Sequence, residues 1–163
     1  MTAGAAADLL MRLDAVEARL ASLAVESVGG LTDADPATGE RWDAGQVWAH
    51  LAEFPGYWLG QARLVVERWR DEPVPFGRVK TDPERLAAIE NERMAAPSLL
   101  LDRVHAQLDA LRSWLRELPG DAWDAVGLHV RLGEMGLART LDEFVVSHLE
   151  EHAAQLEGMA GRG

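Results

Sequence analysis

Cysteine is absent from all 163 residues. That excludes a disulfide scaffold, a thiolate zinc site and a protein-borne thiol nucleophile, so any metal must be held by nitrogen and oxygen. Cations are scarce as well: 16 Lys and Arg stand against 27 Asp and Glu, for a net charge of −11. The basic clusters that a nucleic-acid backbone or an anionic membrane rewards are missing, and we expect neither as a partner. No run of about 18 apolar residues occurs, and the opening MTAGAAADLLMRLDAVEARL lacks the basic and then uninterrupted apolar regions of a signal peptide. We therefore expect a soluble, cytoplasmic chain. Its length fits one domain, 1–163, able to bury roughly 70% of the surface of its unfolded chain, so neither metal nor disulfide is needed merely to fold it.

What is present is helical periodicity. Between Ala5 and Val25 the residues Leu9, Leu13, Val16, Leu20 and Leu23 recur four and three apart, which predicts a first amphipathic helix ended by Gly29-Gly30. LTDADPATGER then reads as a polar connection with no visible chemistry. A second helix opens at Asp43, with Gln46 completing a capping box, and buries Val47, Leu51, Phe54, Trp58 and Val65. Pro55-Gly56 removes a backbone donor inside it, so a kink is expected there. DEPVPFGRVKT reads as a loop, and Asp82-Pro83 as the start of a third helix that Pro97-Ser98 interrupts. Beyond that break Leu100, Val104, Leu108, Leu111, Leu115 and Leu118 form a scaffold stripe, with His105 at its boundary. DAWDAVGLHVRLGEMGLAR, holding His129 and Glu134, lacks a sustained period and reads as a loop. Thr140 with Glu143 gives a capping box for a last helix. Four main helices without a convincing strand define an all-α, four-helix bundle.

The last helix carries the chemistry. Its inward spacing, Leu141, Val145, His148, His152, Leu156 and Met159, puts two histidines where leucine is expected. Four residues advance a helix by about 400° and about 6 Å, so the two imidazoles project side by side, as in an H-x-x-x-H metal half-site. Two water- or carboxylate-bound histidines on a bundle helix satisfy the same spacing. His50 lies three after Val47 and four before Phe54, at the edge of the second helix's buried face. If the second and last helices are neighbours, His50 joins the pair and makes a three-nitrogen site with an open coordination position.

The combination of WAHLAE in the second helix, a leucine-rich third helix, a G-L-H-x-x-x-G-E loop and a final H-L-E-E-H-x-x-Q helix resembles the DinB-like superfamily of four-helix metalloproteins over most of the chain. The resemblance implies a kinked bundle holding a divalent metal on His50, His148 and His152, zinc foremost, with nickel, iron or manganese as alternatives. It also implies chemistry on small molecules with a low-molecular-weight thiol as cosubstrate, since thiol-dependent isomerases and S-transferases using mycothiol or bacillithiol are found there, and it favours a homodimer.

Around such a site spacing nominates Glu53, Glu151 and Gln155, each three residues after one of the histidines, to orient a ring or receive a proton; for Glu151 a solvated acidic face competes. His129 is a candidate substrate contact or a turn-stabilising residue. Trp48, Phe54, Tyr57 and Trp58 line a pocket or simply fill core. The leading function is a metal-dependent thiol S-transferase. The alternatives are a hydrolase that activates water and a non-catalytic interaction module with structural histidines.

Overall fold

The computed structural model describes residues 3–161; the ends of the expected 1–163 domain lie outside them. Helix α1 spans Ala3–Ala24 and α2 Ala44–Arg68. A short α3, Pro83–Glu92, precedes α4, Pro97–Glu117. The chain closes with α5, Leu137–Leu141, a π-helical turn over Asp142–Val146, and α6, Ser147–Ala160, in one continuous run. Helices α1 and α2 each pack against both α4 and α6, while α3 rests on α2. The result is a four-helix bundle in which α2 and α6 are neighbours. The predicted stripes are its core: Leu13, Leu20, Val47, Leu51, Phe54, Leu100, Leu108 and Leu156 are fully buried. Among the described residues no helix is long and apolar enough to cross a membrane.

Local chemistry explains most of the boundaries. Asp43 caps α2 by accepting from the Gln46 N–H at 2.8 Å, and the Gln46 side chain accepts from the Asp43 N–H at 3.0 Å. Asp82 caps α3 through the Arg85 N–H at 3.0 Å, with Pro83 at its first position. The third helix is interrupted where expected, between Glu92 and Pro97. Helix α2 continues through Pro55, and a side chain from α4 manages the break. Gln107 donates from Nε2 to the Ala52 carbonyl and accepts at Oε1 from the Gly56 N–H at 2.6 Å. One amide is thus spliced into the ladder between the donor and acceptor that would otherwise bond each other, an insertion that bends helices.

Two local readings need correction. The segments read as loops contribute a three-stranded sheet: β1 (Val74–Phe76) pairs parallel with β2 (Val126–His129), which pairs antiparallel with β3 (Gly133–Gly136). The strands are three or four residues long and carry Pro75, Gly127 and Gly133, so no alternation is sustained over a readable window. Pro75 faces out on the edge strand, where its missing donor is tolerated. Thr140 is not the cap of the last helix. Its hydroxyl donates back to the Gly136 carbonyl at 3.0 Å, Glu143 pairs with Arg139 at 2.7 Å, and the helix already begins at Leu137. The apolar period simply continues backwards through Leu137.

The splice at Pro55 is testable. Gln107→Leu keeps the side-chain bulk but leaves the Ala52 carbonyl and Gly56 N–H without their protein partner, so stability falls by about 1–3 kcal/mol in urea unfolding. A variant as stable as the parent contradicts this role.

Candidate metal centre

Helix α2 delivers His50 and α6 delivers His148 and His152 to one point. His50 Nε2 lies 2.9 Å from His148 Nε2, which lies 3.3 Å from His152 Nε2, and the three ligand nitrogens fall within 4.8 Å of one another. Nitrogens bound to one tetrahedral zinc at ~2.0–2.1 Å sit about 3.3 Å apart, so the spacing suits a shared cation. His50 and His152 are buried and His148 is partly exposed. The predicted three-histidine set is therefore brought together across the helix pair on which the argument depended.

The remaining ring nitrogens decide which lone pairs face the centre. His50 Nδ1–H donates to Glu53 Oε2 at 2.9 Å and His152 Nδ1–H to Gln155 Oε1 at 2.7 Å. His148 Nδ1 faces Glu151 Oε2 at 3.4 Å. Glu53 and Gln155 are acceptors, so His50 and His152 are directed to carry the proton on Nδ1 and present a bare Nε2 inwards, and Glu151 offers His148 the same arrangement at longer range. Three bare nitrogens at these distances cannot hydrogen-bond one another. A cation between them removes the repulsion, and the donor set therefore fits a divalent metal. Burial, together with the neighbouring histidines, keeps His50 and His152 neutral: His50 is pushed well below the ordinary imidazole range and His152 down to about 3.

Glu53 is itself held on both sides. Its second oxygen pairs with Arg78, whose guanidinium lies 3.9 Å over the Tyr57 ring. Burial nevertheless raises the Glu53 pKa against the opposing pull of Arg78. Glu151 differs, with a largely exposed side chain and a pKa lowered chiefly by its contact with His148. The aromatic candidates separate into two roles. Phe54 packs on His50 and His148 with centroids at 4.9 and 4.5 Å, whereas Trp48 is core. Trp58 stacks on Phe144 at 4.1 Å and, with His148 and Glu151, lines a cavity of about 940 Å³ that opens over the three histidines.

His129 lines the same cavity, and its hydrogen bonds are those of the turn-stabilising reading. Its Nδ1 accepts from the Arg131 and Leu132 N–H groups at 3.2 and 3.1 Å, which stabilises the β2–β3 turn and places the proton on Nε2. That Nε2 is buried and has no hydrogen-bond partner among the described residues. Gly77, at φ +97°, makes the ring's position possible, because a Cβ there would stand 2.4 Å from His129 Cδ2. His105 is a boundary residue paired with Glu17, away from the site.

Three contributors were not legible. Arg78 sits in a segment read as a plain loop. Trp42, at the end of the polar connection, stacks parallel to His152 with centroids 6.1 Å apart and meets His50 edge-on at 5.4 Å. The π-helical turn before His148 shows no signature in the apolar period. Arg12 of α1 clamps it, bonding Asp142 at 2.9 Å, Ser147 at 3.1 Å and Glu150 at 2.8 and 3.0 Å. Asp142 and Ser147 are the two ends of the five-residue backbone bond that defines the turn.

The fold and site together define a four-helix protein with a three-imidazole centre beneath a cavity. No protein-family model and no curated protein matches the chain. Solved structures do. YfiT from Bacillus subtilis, a probable metal-dependent hydrolase with an unusual four-helix bundle topology, matches with a TM-score of 0.73 at 22% identity, over 96% of this chain and 86% of that one. Two structures of the mycothiol-dependent maleylpyruvate isomerase, one a point mutant, give TM-scores of 0.68 and 0.66 at 17% identity over 93% of this chain. This chain spans 60% of the isomerase's length. At such identities the likeness is one of fold, and the fold is the one the DinB-like resemblance implied.

The depressed histidines set a pH dependence for chelator-treated protein. An ordinary imidazole protonates near pH 6.5, whereas folded His152 does so at about 3. Between these values the unfolded chain binds a proton that the fold refuses. Stability is thus full above about pH 6.5 and falls as pH drops towards 3, by up to about 1.4 kcal/mol per pH unit for each such histidine. Urea unfolding at pH 7, 6 and 5 measures the slope, and in His152→Leu it becomes shallower. Identical slopes in both proteins contradict the assignment.

Proposed function

We propose that the chain is a DinB-like metalloenzyme that transfers a low-molecular-weight thiol to a carbon electrophile, with zinc on His50, His148 and His152. The observation that carries the metal part is the convergence of three Nε2 atoms, two of them, on His50 and His152, fixed inwards by an acceptor on Nδ1. A divalent cation held there supplies the Lewis acidity that brings a bound thiol, or a bound water, to its anionic form near neutral pH. The lack of cysteine means that a thiol nucleophile comes from outside the chain.

The protein's own residues divide the remaining work. Glu53 and Gln155 hold the Nδ1 protons of His50 and His152 and so keep two rings oriented. Glu53 has both oxygens engaged, by His50 and Arg78, and is shut off from a substrate. Glu151 lines the cavity with an exposed carboxylate, so it is the group assigned to accept the proton of the incoming nucleophile. Its pKa, lowered by His148, keeps it ionised and ready to do so. His129 lines the same cavity, but its Nε2 is buried against Gly77, so it shapes the wall rather than donating to a substrate.

A second reading, hydrolysis by an activated water, is favoured by one observation: YfiT, described as a probable metal-dependent hydrolase, is matched over 86% of its length, against 60% for the mycothiol-dependent isomerase. The two readings share every residue above and differ in the nucleophile. Turnover of a panel of alkyl halides, epoxides and esters by zinc-loaded protein, with and without an added thiol, separates them. The transferase reading expects product only with thiol, and a 10²–10⁴-fold loss in Glu151→Gln with metal content unchanged. Turnover of esters without thiol establishes the hydrolase reading instead.

A further inference from the structure

The segment from Arg78 to Arg85 sends three cations to one wall of the cavity, and two of them are neutralised. Arg78 pairs with Glu53, both side chains less than a tenth exposed. Lys80 Nζ lies 2.7 Å from Asp35 Oδ2, and that contact draws the Asp35 carboxyl down to about 2. Arg85 has no such partner. Its Nη1 donates to the Lys80 carbonyl at 2.8 Å and its guanidinium sits 5.5 Å from the centroid of the Trp42 ring. Among the described residues no carboxylate comes within ion-pair distance of it. A half-buried guanidinium held against an indole in the wall of a cavity is an arrangement that stabilises an incoming planar anion.

Location ties this cation to the histidines. The indole beneath Arg85 stacks parallel to His152 and lies edge-on to His50, so one aromatic ring separates the guanidinium from two of the three metal-binding residues. A cavity of about 940 Å³ is within the range that holds a whole small molecule. Both ends of such a molecule can therefore be engaged at once.

We propose that Arg85 is the anion-recognition residue of this cavity, and that the ligand it selects is a small organic carboxylate whose reacting end faces His50, His148 and His152. The choice of a single negative charge comes from Glu40, which also lines the cavity and opposes a phosphate dianion more than a monoanion. Arg85 does no chemistry in this account. It binds, orients and excludes uncharged analogues. The assignment of a reacting end rests on the metal-site reading above, whereas the anion preference belongs to Arg85 and survives without it.

Two probes that differ only in charge test this, 4-mercaptobutyrate and its methyl ester, titrated calorimetrically into zinc-loaded and chelator-treated protein. The acid binds at least tenfold more tightly than the ester to wild type in both forms. In Arg85→Gln that preference disappears while ester affinity is unchanged, and in Arg85→Lys, which keeps the charge and loses the fork, it is partly retained. Equal binding of acid and ester by wild type, or a preference that persists in Arg85→Gln, overturns the proposal. Tighter binding of 2-mercaptoethyl phosphate than of the acid overturns the choice of a carboxylate. Failure of the metal reading looks different: zinc then leaves the affinity of both probes unchanged, while the preference for the acid remains.

Discussion

Three imidazole nitrogens hold their lone pairs towards one another in the interior of this bundle, and the rest of the site follows from making that arrangement tolerable. Left alone, neutral histidines at 2.9–3.3 Å would choose tautomers that let them donate to each other. Glu53 and Gln155 remove the choice for His50 and His152 by accepting from Nδ1, and Glu151 stands at 3.4 Å from the same atom of His148. Burial removes the other escape, protonation, by holding His50 and His152 neutral far below the ordinary range. What remains is a preorganised set of nitrogen ligands whose repulsion a cation relieves.

The scaffold is shaped around that point. His50 precedes Pro55 by little more than a turn, and Gln107 mends the ladder that the proline opens. On the other side a π-helical turn ends one residue before His148, and Arg12 binds both of its ends. Irregularities of this kind are unfavourable in a plain bundle and tend to mark functional positions. The small sheet brings His129 and the turn residues Arg131 and Leu132 to the cavity wall. Its parallel register sets Phe76 beside His129, and Gly77 leaves room for the ring.

Much of this was legible in the order of residues, for identifiable reasons. Long 3.6-residue stripes reported the helices and their buried faces. The i, i+4 histidines reported the half-site, and the Asp43–Gln46 and Asp82–Pro83 pairs marked where helices begin. Three-residue spacing found Glu53, Glu151 and Gln155, because partners on one helix repeat with its period. The unread parts all depend on long-range placement. Strands of three or four residues carry too few alternations to be seen. Arg78 and Arg85 sit in or beside a turn-rich segment whose local pattern says nothing of the cavity it borders. Trp42 reaches His152 only because Thr32 and Trp42 close the preceding connection with paired hydrogen bonds, at 2.8 and 3.0 Å. Thr140 misled because T-x-x-E describes a cap only when no helix precedes it.

The account stands or falls on whether the three nitrogens bind a metal. Elemental analysis of tag-free protein purified without chelator, beside a His152→Ala variant, addresses this directly. The account predicts close to one equivalent of a divalent metal in the parent and its loss in a variant that remains helical. A parent that holds no metal even after reconstitution with zinc or nickel contradicts it, and leaves a helical interaction module with structural histidines in its place.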